Sequence, residues 1–110
     1  MTAFMGEREF VIYLDAARRN RYRHRHKWDG KHVVEFRIQY EAWIEGEWHA
    51  VVRYDSAHAK PHRDLLHAGG STTKSFFEGY SNAEVLTLGQ RDVMENWEAY
   101  RRVFERELKG

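Results

Sequence analysis

His32-Val33-Val34-Glu35-Phe36-Arg37-Ile38-Gln39-Tyr40-Glu41-Ala42-Trp43-Ile44, then Glu45-Gly46, then Glu47-Trp48-His49-Ala50-Val51-Val52-Arg53-Tyr54-Asp55, is the stretch that decides the fold. In 32–44 the residues Val34, Phe36, Ile38, Tyr40, Ala42 and Ile44 share one parity, and Glu35, Arg37, Gln39, Glu41 and Trp43 share the other. A period of two is the mark of a strand with one apolar and one polar face. In 47–55 the same alternation assigns Trp48, Ala50, Val52 and Tyr54 to the apolar side, and His49, Val51, Arg53 and Asp55 to the polar side.

The turn between these strands is constrained by parity. Directly opposed residues of an antiparallel pair lie on one face, so paired numbers must here sum to an even value. A two-residue Glu45-Gly46 loop breaks this rule and a three-residue loop keeps it. With Ile44-Glu45-Gly46 as the loop, Gly46 takes a left-handed bulge position. With Glu45-Gly46-Glu47, Arg37 faces Asp55 instead of Arg53. Turn chemistry favours the first and charge pairing the second.

Working outward, residues 8–14 are β-branched and aromatic and read as a first strand. Residues 21–28 alternate Arg21, Arg23, Arg25 and Lys27 with Tyr22, His24, His26 and Trp28, a strand with one basic face. Asp29-Gly30 is a turn signal, and parity again asks for three loop residues. Residues 62–66 and 72–77 read as two further strands around Ala68-Gly69-Gly70-Ser71. Ser81-Asn82-Ala83-Glu84 is a capping box. After it Leu86, Val93, Trp97, Tyr100, Phe104 and Leu108 recur at helical spacing, with Gly89 expected to kink or interrupt the helix. The expected fold is α+β: a twisted antiparallel sheet of five or six strands, with one long C-terminal helix on its apolar face.

At 110 residues, 42% of them hydrophobic and 15% aromatic, the chain suits a single domain spanning 1–110. It contains no cysteine, which excludes disulfides and thiolate metal sites and fits a reducing compartment. The first ten residues carry Glu7, Arg8 and Glu9 rather than the apolar stretch of a signal peptide. No run reaches the length of a membrane span. A soluble, cytoplasmic protein with no membrane association is expected. Net charge is +1, yet Arg18 to Lys31 holds seven Lys/Arg against the single acid Asp29, which suggests an anionic partner at one place.

Chemistry concentrates between Arg53 and His67. Arg53, Asp55, His58, His62, Asp64 and His67 gather titratable groups of both signs around Pro61, a mixture that core packing does not require. Acid–base catalysis at a phosphate uses these parts without a metal. A salt-bridge network holding a loop uses them equally well. Metal ligation by His58, His62, Asp64 and His67 is a third reading, but Pro61 between the histidines argues against the helical His-x3-His arrangement. The ladder Arg21, Arg23, Arg25 and Lys27 could track a phosphate backbone or protect an edge strand by charge.

Arg53-Tyr54-Asp55-Ser56-Ala57-His58, followed by Pro61-His62, resembles the toxin proteins of TumE-type toxin–antitoxin modules. The similarity extends to a β-meander before the motif and a terminal helix with Asn-Trp, here Asn96-Trp97. Ser56 stands where those toxins tend to have Asn. The resemblance implies a growth-inhibiting toxin, paired with a helix-turn-helix antitoxin and acting on RNA. The matching positions are Arg53, Asp55, His58 and His62.

The functional expectation is therefore a toxin-like, metal-independent ribonuclease without a cofactor. His58 and His62 would exchange protons, Arg53 would stabilise the phosphorane, and Asp55 would orient an imidazole or Arg53. Arg21, Arg23, Arg25, Arg37, Asp64 and His67 would hold the substrate. The alternatives are a non-enzymatic module that binds nucleic acid or protein, and a metal-dependent hydrolase.

Overall fold

The alternating stretch forms the middle of a six-stranded antiparallel sheet in the computed structural model, which describes residues 5–57 and 60–110. The strands are β1 (Met5–Tyr13), β2 (Asn20–Asp29), β3 (His32–Ile44), β4 (Glu47–Asp55), β5 (His62–Leu66) and β6 (Thr72–Phe76). They lie side by side in chain order, a pure meander. One helix, α1 (Asn82–Leu108), follows and packs on β3 and β4. The α+β sheet-and-helix expectation is met. No helix among the described residues is long and apolar enough to cross a membrane.

Both turns differ from expectation. Ile44 pairs with Glu47, so the loop is the two residues Glu45-Gly46, with φ of 53° and 82°. Positive φ at both positions is the type I′ geometry, whose twist matches that of the flanking strands. Parity is restored further along. Tyr40 pairs with Val52 but Glu41 pairs with Ala50, so Val51 is an extra residue in a β-bulge. The β2–β3 connection repeats the device. Asp29 pairs with His32 around Gly30-Lys31, and Val34 is the extra residue between the Lys27–Glu35 and Trp28–Val33 pairs.

These bulges correct five face assignments, two of them at His49 and Ala50, which exchange faces: His49 pairs with Ala42 and packs on Phe104, while Ala50 pairs with Glu41. Val34, expected in the core, is 52% exposed. Val51, expected on the polar face, is fully buried. Trp48, expected in the core, lies beside Trp43 on the polar face, with the Arg21 guanidinium carbon 3.8 Å from its ring. Between each bulge and its turn the alternation runs out of phase with the rest of the strand.

The core lies between the sheet and α1. Tyr22, Phe36, Ile38, Tyr40, Val52 and Tyr54 meet Val85, Val93 and Phe104 there. The helix starts at the expected capping box, with the Glu84 amide donating to Ser81 Oγ at 3.1 Å and the Ser81 amide to Glu84 Oε1 at 2.9 Å. Gly89 does not interrupt it. A Cβ there would fall 2.7 Å from Tyr54 and 2.8 Å from Ile38, so glycine is what brings the helix onto the sheet. Arg101 fixes the far half of the helix, donating to Asn20 Oδ1 (2.9 Å) and to the carbonyls of Arg19 (3.2 Å) and Trp43 (3.0 Å).

Candidate functional site

Strand pairing turns the chemistry into a lattice on the sheet face that α1 leaves uncovered. One row across the sheet reads Val11, Arg23, Gln39, Arg53, Asp64, Lys74. The next reads Glu9, Arg25, Arg37, Asp55, His62, Phe76. The single-parity rule places all of these side chains on one face. Arg21 and Glu41 lie in the row beyond Arg23, and Lys27 and Glu35 in the row beyond Arg25.

The structure thus brings Arg53, Asp55, His62, Asp64, Arg21, Arg23, Arg25 and Arg37 onto one face. It sets His67 apart. Its Nδ1 meets Glu107 of the helix at 2.7 Å, and its Nε2 meets Thr73 Oγ1 at 2.7 Å. His58 lies outside the described residues. Among the described residues no group of three or more His, Asp or Glu is placed to hold a metal ion.

Most charges on this face are engaged. Arg37 Nε donates to Asp55 Oδ2 at 2.6 Å, while Asp55 Oδ1 accepts the Ala57 amide at 2.5 Å. Asp55 is 5% exposed, a carboxylate held in place by two donors. Arg21 Nε donates to Glu41 Oε1 at 2.5 Å. Arg25 bridges Glu7 (3.0 Å) and Glu35 (3.4 Å). These contacts neutralise much of the ladder that reads as a basic stripe in the sequence.

Arg23 and Arg53 are engaged differently. Arg23 reaches Glu41 only at 3.8 Å. Arg53 donates to Gln39 Oε1 at 2.7 Å and, among the described residues, has no carboxylate within ion-pair distance. Gln39 in turn donates to Glu41 Oε2 at 2.5 Å, so its amide dipole links Arg53 to a carboxylate at one remove. Arg23, Arg25, Arg37 and Arg53 together line an open cleft of about 310 Å3, with Gln39 and the single carboxylate Glu9. Guanidinium groups so placed can donate to the oxygens of an anion.

His62 is nearly enclosed. It is 3% exposed, and its Nδ1–H donates to the Lys60 carbonyl at 2.9 Å. Its Nε2 sits 3.4 Å from Asp64 Oδ2 and 3.5 Å from Lys74 Nζ. Lys74 also approaches Asp64 Oδ1 at 3.3 Å. This triad closes on itself, the arrangement of a structural network more than of a general base open to substrate.

Three participants were not picked out from the sequence: Gln39, Glu41 and Lys74. Each is set by cross-strand register, and the strand alternation alone placed the first two on the polar face. The opposite face holds a second group, the alternating Tyr22, His24 and His26 of β2. Tyr22 Oη lies 2.6 Å from His24 Nδ1, and His24 Nε2 lies 2.6 Å from His26 Nδ1. The Gln90 amide nitrogen also approaches His24 Nδ1 at 3.4 Å, which makes Nδ1 the acceptor and puts the hydrogen on Nε2. Burial, then the neighbouring His26 and Arg8, push His24 down to about 4, so the ring is neutral near pH 7. Burial pushes Tyr22 well above the usual phenol range.

Nothing among curated proteins or solved structures matches the chain. Residues 5–110 do match a family known by the description Domain of unknown function (DUF7718), and with nearly its whole length covered the chain belongs to that family.

Proposed function

We propose that the uncovered sheet face binds the phosphate backbone of RNA, in a toxin-like module whose other member would be a helix-turn-helix antitoxin. One observation carries the binding reading: four guanidiniums, Arg23, Arg25, Arg37 and Arg53, converge on one cleft that a single carboxylate lines. Guanidinium forks suit phosphate oxygens, and Arg53 has no competing carboxylate partner among the described residues. The toxin context rests on the sequence resemblance, carried chiefly by the 53–62 run.

Ribonuclease activity on the same face is the second reading. It is favoured by Arg53 standing next to Asp64 and diagonal to His62 in the lattice. The enclosure of His62 favours binding without turnover.

Fluorescence anisotropy with a labelled single-stranded RNA tests both. Four phosphate contacts predict that log Kobs falls against log salt with a slope of about −3. The Arg23→Ala/Arg53→Ala double variant should flatten that slope by about 1.4. RNA binding without salt dependence, or unchanged in the variant, overturns the cleft assignment. Cleavage of the same RNA that His62→Ala abolishes would put the ribonuclease reading first.

A further inference from the structure

We infer that the RNA bound by this face is single-stranded, and that an unpaired base leaves the arginine cleft to stack between Phe76 and Tyr80. The inference rests on the RNA reading above and adds the strand state and a base subsite. The row that contains Arg25 and Arg37 continues through Asp55 and His62 to Phe76. At about 4.8 Å per strand, Phe76 stands roughly 14 Å from Arg37 along the sheet.

Phe76 and Tyr80 are 53% and 51% exposed, each a large ring half open to solvent. They line a second cleft of about 280 Å3 with Lys60, Pro61, Phe77 and Glu78. The rings are oriented from behind. Phe77 meets Tyr80 edge-on at 6.2 Å, and His62 tilts against Phe76 at 5.6 Å. The loop is held by the Tyr80 amide donating to the Phe77 carbonyl (3.3 Å) and the Phe77 amide to the Pro61 carbonyl (3.2 Å).

The charges allot the parts of a nucleotide. Glu78 and Lys60 both line the aromatic cleft, so it offers no net charge to a phosphate, and the Glu78 carboxylate accepts hydrogen bonds from the amino groups of a base. The phosphates belong on the arginine side. Every base presents a π-face, so stacking here is tolerant of sequence and requires an unpaired base. A duplex keeps its bases inside.

The test uses a single-stranded RNA 12-mer carrying 2-aminopurine, the corresponding duplex, and inorganic polyphosphate as a base-free probe of the arginines. Wild type should quench the 2-aminopurine on binding and prefer the single strand to the duplex. Phe76→Ala and Tyr80→Ala should each weaken the single strand roughly tenfold and abolish quenching, with polyphosphate binding unchanged. Unchanged polyphosphate binding shows that the variants fold. Single-strand binding without quenching, equal in wild type and variants, overturns the base subsite and leaves the arginine cleft standing. Tighter binding of the duplex also overturns it. No binding of RNA or polyphosphate by wild type overturns the subsite together with the reading beneath it.

Discussion

Arg37 and Asp55 stand directly opposite each other on β3 and β4, 2.6 Å apart, because Val51 is bulged out of the ladder between them and the turn. Without the extra residue the two-residue loop would set Arg37 against Tyr54 and turn the side chains of Val52 to Asp55 to the other face. The ion pair is thus a consequence of the bulge, and it ties the end of β4 to the centre of the sheet.

Asp55→Ala should cost about 2 kcal/mol of stability, since it strips a charge-assisted acceptor from both Arg37 and the Ala57 amide at a buried position. Urea unfolding midpoints measure this. A loss below about half a kcal/mol would show that the pair does not anchor β4.

Arg53 and Arg101 should separate binding from stability. Arg53→Gln removes a cleft guanidinium that, among the described residues, bonds only Gln39, and should weaken RNA binding several-fold while moving stability by no more than about 0.5 kcal/mol. Arg101→Gln removes donors to Asn20, Arg19 and Trp43, and should lower stability by roughly 1–3 kcal/mol with little effect on binding. The reverse pattern would place the cleft elsewhere.

Gly89→Ala opposes two effects. Helix propensity favours alanine by about 1 kcal/mol. The added Cβ would meet Tyr54 at 2.7 Å and Ile38 at 2.8 Å, and overpacking of a core costs roughly 1–3 kcal/mol. Both neighbours are buried, so a net loss of about 1 kcal/mol or more is expected in thermal unfolding. A stabilised variant would mean that the helix shifts outward freely.

Acid should unfold the protein partly through His24. Its folded value of about 4 lies below the ordinary 6.5, so between these pH values the unfolded chain binds more protons. Stability therefore rises with pH across this window and is lost as pH falls from 6.5 towards 4, by up to about 3 kcal/mol. His24→Phe should flatten the slope of unfolding free energy over that range. An unchanged slope would assign acid sensitivity to other groups.

Alkali should act through the tyrosines of the helix interface. Tyr54 and Tyr100 both donate to Asp92 Oδ2, at 2.7 and 2.5 Å. Burial first, then the bond to Asp92, raise Tyr100 to about 12 and Tyr54 further still. The folded state keeps these protons above pH 10 where the unfolded chain has lost them, so stability falls as pH rises past 10. Tyr100→Phe should reduce that fall, read by unfolding midpoints between pH 9 and 11.

Much of the fold is legible in residues 32–55 and 82–108, where periods of two and near 3.6 recur over long spans. The capping box at Ser81 and Glu84 is legible too, because it is local. The site is legible only in part. Alternation puts Arg37, Gln39, Arg53 and Asp55 on one face, but nothing local shows that Gln39 engages Arg53, or that Lys74 stands against Asp64. Nor does sequence spacing separate His67 from His62. Five residues apart in sequence, they end on opposite faces because one pairs within the sheet and the other follows the end of β5.

By itself, the sequence determined the α+β class, the positions of most strands along the chain, the helix start and the polar face on which titratable side chains collect. These follow from local periodicity and local capping, which act over a few residues. Only the tertiary structure decided the bulges at Val34 and Val51, and with them which charges meet. A two-residue turn plus a bulge and a three-residue turn satisfy the same parity. Strand twist, and the packing of α1 on Ile38 and Tyr54 through Gly89, are properties of the assembled sheet that no single stretch contains.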